Sequence, residues 1–187
     1  MNTINFIDKD AGLAELQLFS SHDIRGHFVK AFTTSNLATL LPEQIEFIQR
    51  ETYFSYSFPG VLRGMHLQVG DYSNYKIVTC LSGSVLDVCI DLRHDRSTYG
   101  NCYSLTLSYE TNNAILVPPG FGHGFLNHTN VISVVLYCVS SQYNKINDTG
   151  VRWDSIDFNW GITNPVISPR DANLPSLNEF KYYAYPY

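Results

Sequence analysis

Short apolar or alternating runs, separated by polar turns, fill the middle of the chain. Residues 60–67, 75–81, 84–92, 102–107, 114–117 and 132–139 read as strands of this kind. Between them lie Gly70-Asp71, Ser82-Gly83, Tyr99-Gly100, Thr111-Asn112-Asn113 and Asn127-His128-Thr129-Asn130, all turn-forming sequences. Many short strands without sustained helical periodicity predict an all-β sandwich or barrel. One helix is expected at residues 35–41, with Ser35 as N-cap and Pro42 as the stop. After Trp160 the chain becomes irregular, with Pro165, Pro169 and Pro175, and it ends in an aromatic segment at residues 180–187. So many aromatics at an end predict a packed extension or an interface arm. No repeat or linker interrupts residues 1–187, which read as a single domain.

Composition narrows the function classes. With 187 residues, 44% of them hydrophobic and 16% charged, the chain is globular and long enough for a sizeable core. A net charge of −5 argues against a nucleic-acid or anionic-membrane partner. Cys80, Cys89, Cys102 and Cys138 show no C-x-x-C spacing and read as packed free thiols of a reducing compartment. Residues 1–10 carry no basic segment followed by an apolar run, and no apolar stretch is long enough for a bilayer. The expectation is a cytoplasmic protein.

Two stretches carry chemistry. Residues 60–68, Gly-Val-Leu-Arg-Gly-Met-His-Leu-Gln, set Arg63 and His66 in a buried-strand pattern. Burial disfavours a charged imidazole, and a nearby guanidinium holds an anion. His66 alone reads more readily as a core histidine hydrogen-bonded to backbone. Arg63, three positions away, would point to the other face of the strand unless a bulge at Gly64 re-aims it. The second stretch, Pro118-Pro119-Gly120-Phe121-Gly122-His123-Gly124-Phe125-Leu126-Asn127, places His123 among glycines that permit close backbone approach. Its plainer reading is a turn between strands.

Pro118-x-Gly120-x-x-His123-x-x-x-Asn127 resembles the second signature of the cupin superfamily, and Gly60 ahead of His66 resembles the first. A metal-binding cupin would continue with a second histidine and a glutamate. Here Gln68 takes the histidine's place and no glutamate lies between Gln68 and Lys76, a poor donor set for a divalent ion. The resemblance therefore points to a metal-free, cofactor-free cupin: an all-β double-stranded β-helix (jelly-roll) barrel with short helices and an irregular C-terminal arm. A longer ordered series sharpens it. Asp23-x-Arg25-Gly26-x-Phe28, Gly60-Val-Leu-Arg-Gly-x-His66-x-Gln68, Lys76-x-Val78, Asp87-Val88-x-x-Asp91-x-Arg93, Gly120-Phe-x-His-Gly-Phe125, then Tyr137, Tyr143, Trp153, Trp160 and Ser168-x-x-Asp171 follow one another. This order is similar to the nucleotide-sugar epimerases typified by dTDP-4-dehydrorhamnose 3,5-epimerase, over roughly residues 20–175.

The resemblance implies an isomerase of deoxysugar, lipopolysaccharide or capsule biosynthesis acting on a nucleotide-diphospho-4-keto-6-deoxy sugar. It makes His66 the base, Asp171 its partner, Tyr137 the acid from the opposite face, and Lys76 the cation at the C4 oxygen. It assigns Arg25 and Arg63 to the diphosphate, with Arg25 reaching a partner's site in a homodimer. Phe28, Gln68, His123 and Tyr143 are expected around the sugar or nucleotide. Without the resemblance, Tyr137 reads as a core aromatic and Lys76 as an edge-strand lysine. Two departures stand out. Lys30 occupies a place where glutamate is usual, and Glu51, Tyr53, Ser55 and Ser57 stand where Gln-x-Asn-x-Ser-x-Ser is usual. They leave open a CDP- or GDP-linked sugar and inversion at C3, C5 or both. A 3,4-ketoisomerase of the same fold and a non-catalytic sugar-nucleotide-binding cupin are the rival readings.

Overall fold

The computed structural model describes residues 3–32, 37 and 47–181. The expected helix at 35–41 lies outside these residues except for Leu37, as does the aromatic segment beyond Lys181. Thirteen strands run in chain order: β1 (Thr3–Asp8), β2 (Leu13–Gln17), β3 (Phe19–Asp23), β4 (Gly26–Lys30), β5 (Glu51–Ser57), β6 (Leu62–Gln68), β7 (Lys76–Ser82), β8 (Ser84–Asp91), β9 (Cys102–Ser108), β10 (Asn113–Val117), β11 (Phe121–Leu126), β12 (Ser133–Val139) and β13 (Asp148–Gly150). Six form a sheet in the order β1-β2-β10-β7-β12-β5, and five form a second in the order β13-β6-β11-β8-β9. Along the chain β5, β6, β7 and β8 alternate between the two sheets, as do β10 to β13. This is the antiparallel jelly-roll barrel of the cupins. All six strand runs anticipated from hydrophobic pattern are strands, with boundaries shifted by a residue or two.

The two sheets close on a core that includes Val78, Val85, Ile115, Phe121, Phe125 and Val135. A second cluster, with Leu62, Met65, Leu67, Ile90 and Trp160, packs the segment after β13 against the outside of the five-stranded sheet. Burying such side chains contributes roughly 1.5–3 kcal/mol each. The β3–β4 hairpin forms its own two-stranded ribbon.

The glycine-rich stretch around His123 is a strand, β11, and not the turn that composition suggests. The reason is steric. A Cβ on Gly122 would sit 2.9 Å from side-chain carbons of Ile90 and Leu92, and one on Gly124 would sit 2.7 Å from the Arg63 carbonyl oxygen. Glycine lets β11 pack tightly between its neighbours. Close approach is tighter still at β13, where a Cβ on Gly150 would lie 1.8 Å from the Met65 carbonyl oxygen. Gly150 pairs with His66. Gly150→Ala is therefore expected to push β13 off β6 and cost about 3 kcal/mol. Urea unfolding with an unchanged m-value would measure that loss; an unchanged midpoint would show that the strand yields cheaply.

Candidate active site

The register of β6 against β11 positions the first two site residues. Pairing passes from His123↔His66 to Phe125↔Arg63, so β6 takes three steps while β11 takes two. The extra residue falls at Gly64-Met65, and Gly64 has φ +137°, a conformation that glycine alone adopts readily. This bulge re-aims the strand, and Arg63 and His66 line one cavity of about 400 Å³.

His66 meets a carboxylate there. Its Nε2 lies 2.7 Å from Oδ1 of Asp171. Asp171 sits in the short helical turn Pro169–Ala172, capped by Ser168, whose side chain accepts from the Asp171 amide. The other Asp171 oxygen accepts the Gly64 amide at 3.2 Å. Burial opposes the Asp171 charge, but the bonds from His66, Gly64 and Ser168 outweigh it and hold the carboxyl below its ordinary range. Burial likewise pushes the His66 imidazole below its ordinary value, against the opposing pull of Asp171. Burial thus favours the neutral form of the ring.

Lys76 opens β7, an interior strand between β10 and β12 and not the edge strand that a lone lysine suggests. Its Nζ donates to the His66 carbonyl at 2.9 Å. Burial lowers the ammonium pKa to about 8, while Asp148 and Asp87 pull it upward. Tyr137 lies on β12 and lines the same cavity. Burial raises its phenol well above the ordinary value, so it stays protonated. His123 is buried, with Nε2 2.8 Å from Oδ2 of Asp87, and its ring stands edge-on to that of Tyr137.

The remaining expected ligands divide. Tyr143 lines the cavity, and its backbone N–H donates to Oε2 of Glu51 at 2.7 Å. Arg63 is braced by Ser57 Oγ and the Tyr56 carbonyl, each 3.0 Å away. Gln68 lines the wall, but its amide is spent on backbone. It donates to the carbonyls of Tyr72 and Gln142 and accepts the Asn144 N–H at 2.6 Å. These three bonds fix its amide in the cavity wall. Arg25 and Phe28 are not brought to this cavity. They stand on the exposed β3–β4 hairpin, with Arg25 paired to Asp23. Asp91 and Arg93 staple a loop, together with Thr98.

Among the lining residues that sequence reasoning missed are Arg170, Asp148 and Asn74. Arg170 Nη1 lies 3.3 Å from Nε2 of His66, and Arg170 is ion-paired with Asp148 at 2.6 Å. Asn74, buried, turns toward the same space. The neighbours of Asp171 in sequence were the signal for Arg170; nothing local marks Asn74 or Asp148.

Among the described residues, Asp87, Cys89 and His123 are the set whose metal-ligating atoms cluster, within 4.8 Å of one another. Burial holds the Cys89 thiol well above its ordinary value, and the Asp87 carboxylate is bonded to His123. A thiol kept protonated beside a buried ammonium is a poor cation ligand.

The fold is that of a cupin barrel with a polar cavity, and its relatives name the family. The family model for dTDP-4-dehydrorhamnose 3,5-epimerase matches residues 9–179. The dTDP-4-dehydrorhamnose 3,5-epimerase of Shigella flexneri is 32% identical over 98% of this chain and 99% of its own. A solved structure of the Legionella pneumophila dTDP-6-deoxy-D-glucose-3,5-epimerase, in complex with dTDP-4-keto-L-rhamnose, superposes with TM-score 0.91 at 27% identity, covering all of both chains. That of ChmJ, a 3'-monoepimerase of Streptomyces bikiniensis in complex with dTDP-quinovose, gives TM-score 0.81 at 26% identity, covering 89% of this chain and 84% of its own. The chain belongs to the dTDP-4-dehydrorhamnose 3,5-epimerase family. It is a carbohydrate epimerase. No described helix is long and apolar enough to cross a membrane.

Proposed function

We propose that this chain epimerises a dTDP-linked 4-keto-6-deoxyhexose at a carbon next to the ketone, by proton removal through His66 and proton return through Tyr137. One observation carries the reading: His66 and Tyr137 enter a single cavity from different sheets, β6 of the five-stranded one and β12 of the six-stranded one. Inversion needs a base on one face of the sugar and an acid on the other.

Asp171 engages Nε2 of His66, so the proton rests there and Nδ1 carries the basic lone pair. Nδ1 removes the α-proton, and the electrons of the C–H bond move into the ring to form an enolate. The Lys76 ammonium stabilises the charge gathering on the ketone oxygen. The Tyr137 hydroxyl returns a proton to the opposite face, and the ketone re-forms. The imidazolium is stabilised meanwhile by Asp171. Solvent carries the surplus proton from His66 back to the phenolate.

Arg63 holds the diphosphate from within the chain. Arg25, exposed on its hairpin, serves the site of a second copy in a homodimer. The exposed aromatics Phe54 and Tyr56 on the edge strand β5 support such an assembly. Four free cysteines, three of them buried, fit a cytoplasmic enzyme. The dTDP nucleotide is supported by the ligands of the solved relatives. Tyr137 in the cavity favours epimerisation over a 3,4-ketoisomerase, which needs no acid opposite His66.

The test is solvent deuterium exchange into dTDP-4-keto-6-deoxyglucose, followed by NMR. Tyr137→Phe is expected to retain exchange on the His66 side while inversion falls by about 10²-fold or more. Inversion at the normal rate would reject Tyr137 as the acid, and no exchange by the wild type into dTDP-, CDP- or GDP-linked ketones would reject the epimerase.

A further inference from the structure

Tyr53 has no part in the proton transfers above, yet Tyr137 rests against it. Strands β5 and β12 pair antiparallel with Tyr53 directly opposite Tyr137. The two rings stack with centroids 4.8 Å apart and planes 20° apart. Both line the cavity, Tyr53 at 42% exposure and Tyr137 at 8%. On another side the His123 ring stands edge-on, 6.1 Å from the Tyr137 centroid and 83° to its plane. His123 is itself pinned to Asp87. The phenol is thus held by a stacked ring and by an imidazole that is tethered in turn.

We propose that Tyr53 is a positioning residue that sets the stereochemical outcome: by stacking on Tyr137 it holds the phenol against one of the two carbons flanking the ketone, so that one centre is inverted and the other kept. The inference rests on Tyr137 as the proton donor. The two carbons are separated by two single bonds of about 1.5 Å, hence lie about 2.6 Å apart. A donor must approach the accepting carbon closely and in line, so a single phenol serving both must shift by a comparable distance. A ring stacked face to face gives up its contact over such a shift. Single inversion is compatible with the fold, since ChmJ is named a 3'-monoepimerase.

The experiment follows dTDP-4-keto-6-deoxyglucose in D2O by NMR, resolving deuterium and configuration at C3 and C5 separately. For the wild type one centre is expected to invert at least about tenfold faster than the other. Tyr53→Phe keeps the stack and the same selection. Tyr53→Asn and Tyr53→Leu release the phenol: the two rates come within about threefold, while kcat at the favoured centre falls about 2- to 10-fold with KM little changed. Wild-type rates within about threefold of each other overturn the proposal, and that measurement needs no variant to fold. So does a wild-type ratio retained by Tyr53→Asn or Tyr53→Leu. Inversion surviving in Tyr137→Phe instead removes the donor beneath it, a result separable from the Tyr53 series. If the wild type exchanges no deuterium into dTDP-, CDP- or GDP-linked ketones, the epimerase reading and this one fall together.

Discussion

Replacing His66 with asparagine is expected to abolish measurable deuterium exchange and to lower kcat by about 10³- to 10⁴-fold, the upper range for a positioned general base. Asparagine is close to histidine in polarity and can keep a bond to Asp171, so the fold should survive; an unchanged thermal midpoint would confirm it. The pH profile of the parent enzyme locates the same residue. A base works when neutral, and burial sets the His66 pKa below its ordinary 6.5. The rising limb of kcat/KM should therefore lie below pH 6.5, with activity lost as the ring takes up a proton. Asp171→Asn removes a bond and a charge that pull this pKa upward. Its limb should move further into acid while kcat falls about 10²-fold. An acidic limb that stays in place after both substitutions would mean that another group is the base.

Lys76 carries the second large effect, and it acts on rate and stability in opposite directions. Lys76→Met removes the cation from the enolate oxygen, and kcat should drop about 10²- to 10³-fold. The falling limb of kcat/KM in the parent is expected near pH 8, where the buried ammonium loses its proton. The variant should lack that limb. For stability the sign runs through the unfolded chain. Lys76 titrates at about 8 when folded against 10.5 when free. Between these values the unfolded state binds the extra proton, so parent stability gains as pH rises. The gain is on the order of 3 kcal/mol and is complete above pH 10.5. At pH 7 the parent bears the whole cost of the buried charge, offset by its bond to the His66 carbonyl. The stability of Lys76→Met relative to the parent should accordingly decline by about 3 kcal/mol from pH 7 to above pH 10.5. Denaturant melts across that range measure it. A pH-independent difference would show that the lysine is solvated in the folded state.

What was legible and what was not follows from the range of the forces involved. Alternating and apolar runs gave six strands because each of those segments faces a core and must repeat with the period of a pleat. Strand β11 was missed because its glycines answer to Ile90, Leu92 and Arg63, residues far away in the chain. Strands β1, β3, β4 and β5 are mostly exposed or half-buried, and pairing partners rather than local pattern make them strands. Strand β2, with Leu13, Ala14 and Leu16 buried, is a short core run that its surroundings do not set off. The ordered series from Arg25 to Asp171 pointed to the family before any coordinates, as the family model and the Shigella flexneri relative bear out.

By itself, then, the sequence determined the fold class and the family, and it named the side chains proposed to react, because chemistry is a property of residue types and strand period is local. Tertiary structure decided how they meet. A one-residue bulge at Gly64-Met65 turned Arg63 and His66 into the same cavity. A helical turn 105 residues away brought Asp171 within 2.7 Å of His66. Gln68, expected beside the substrate, had its amide fixed in the cavity wall by three backbone groups. The pairing of β5 with β12 laid Tyr53 on Tyr137, where neither neighbourhood alone foretold a contact. Distances of a few ångströms between residues remote in the chain depend on register and close packing, and these are settled only when the whole barrel closes.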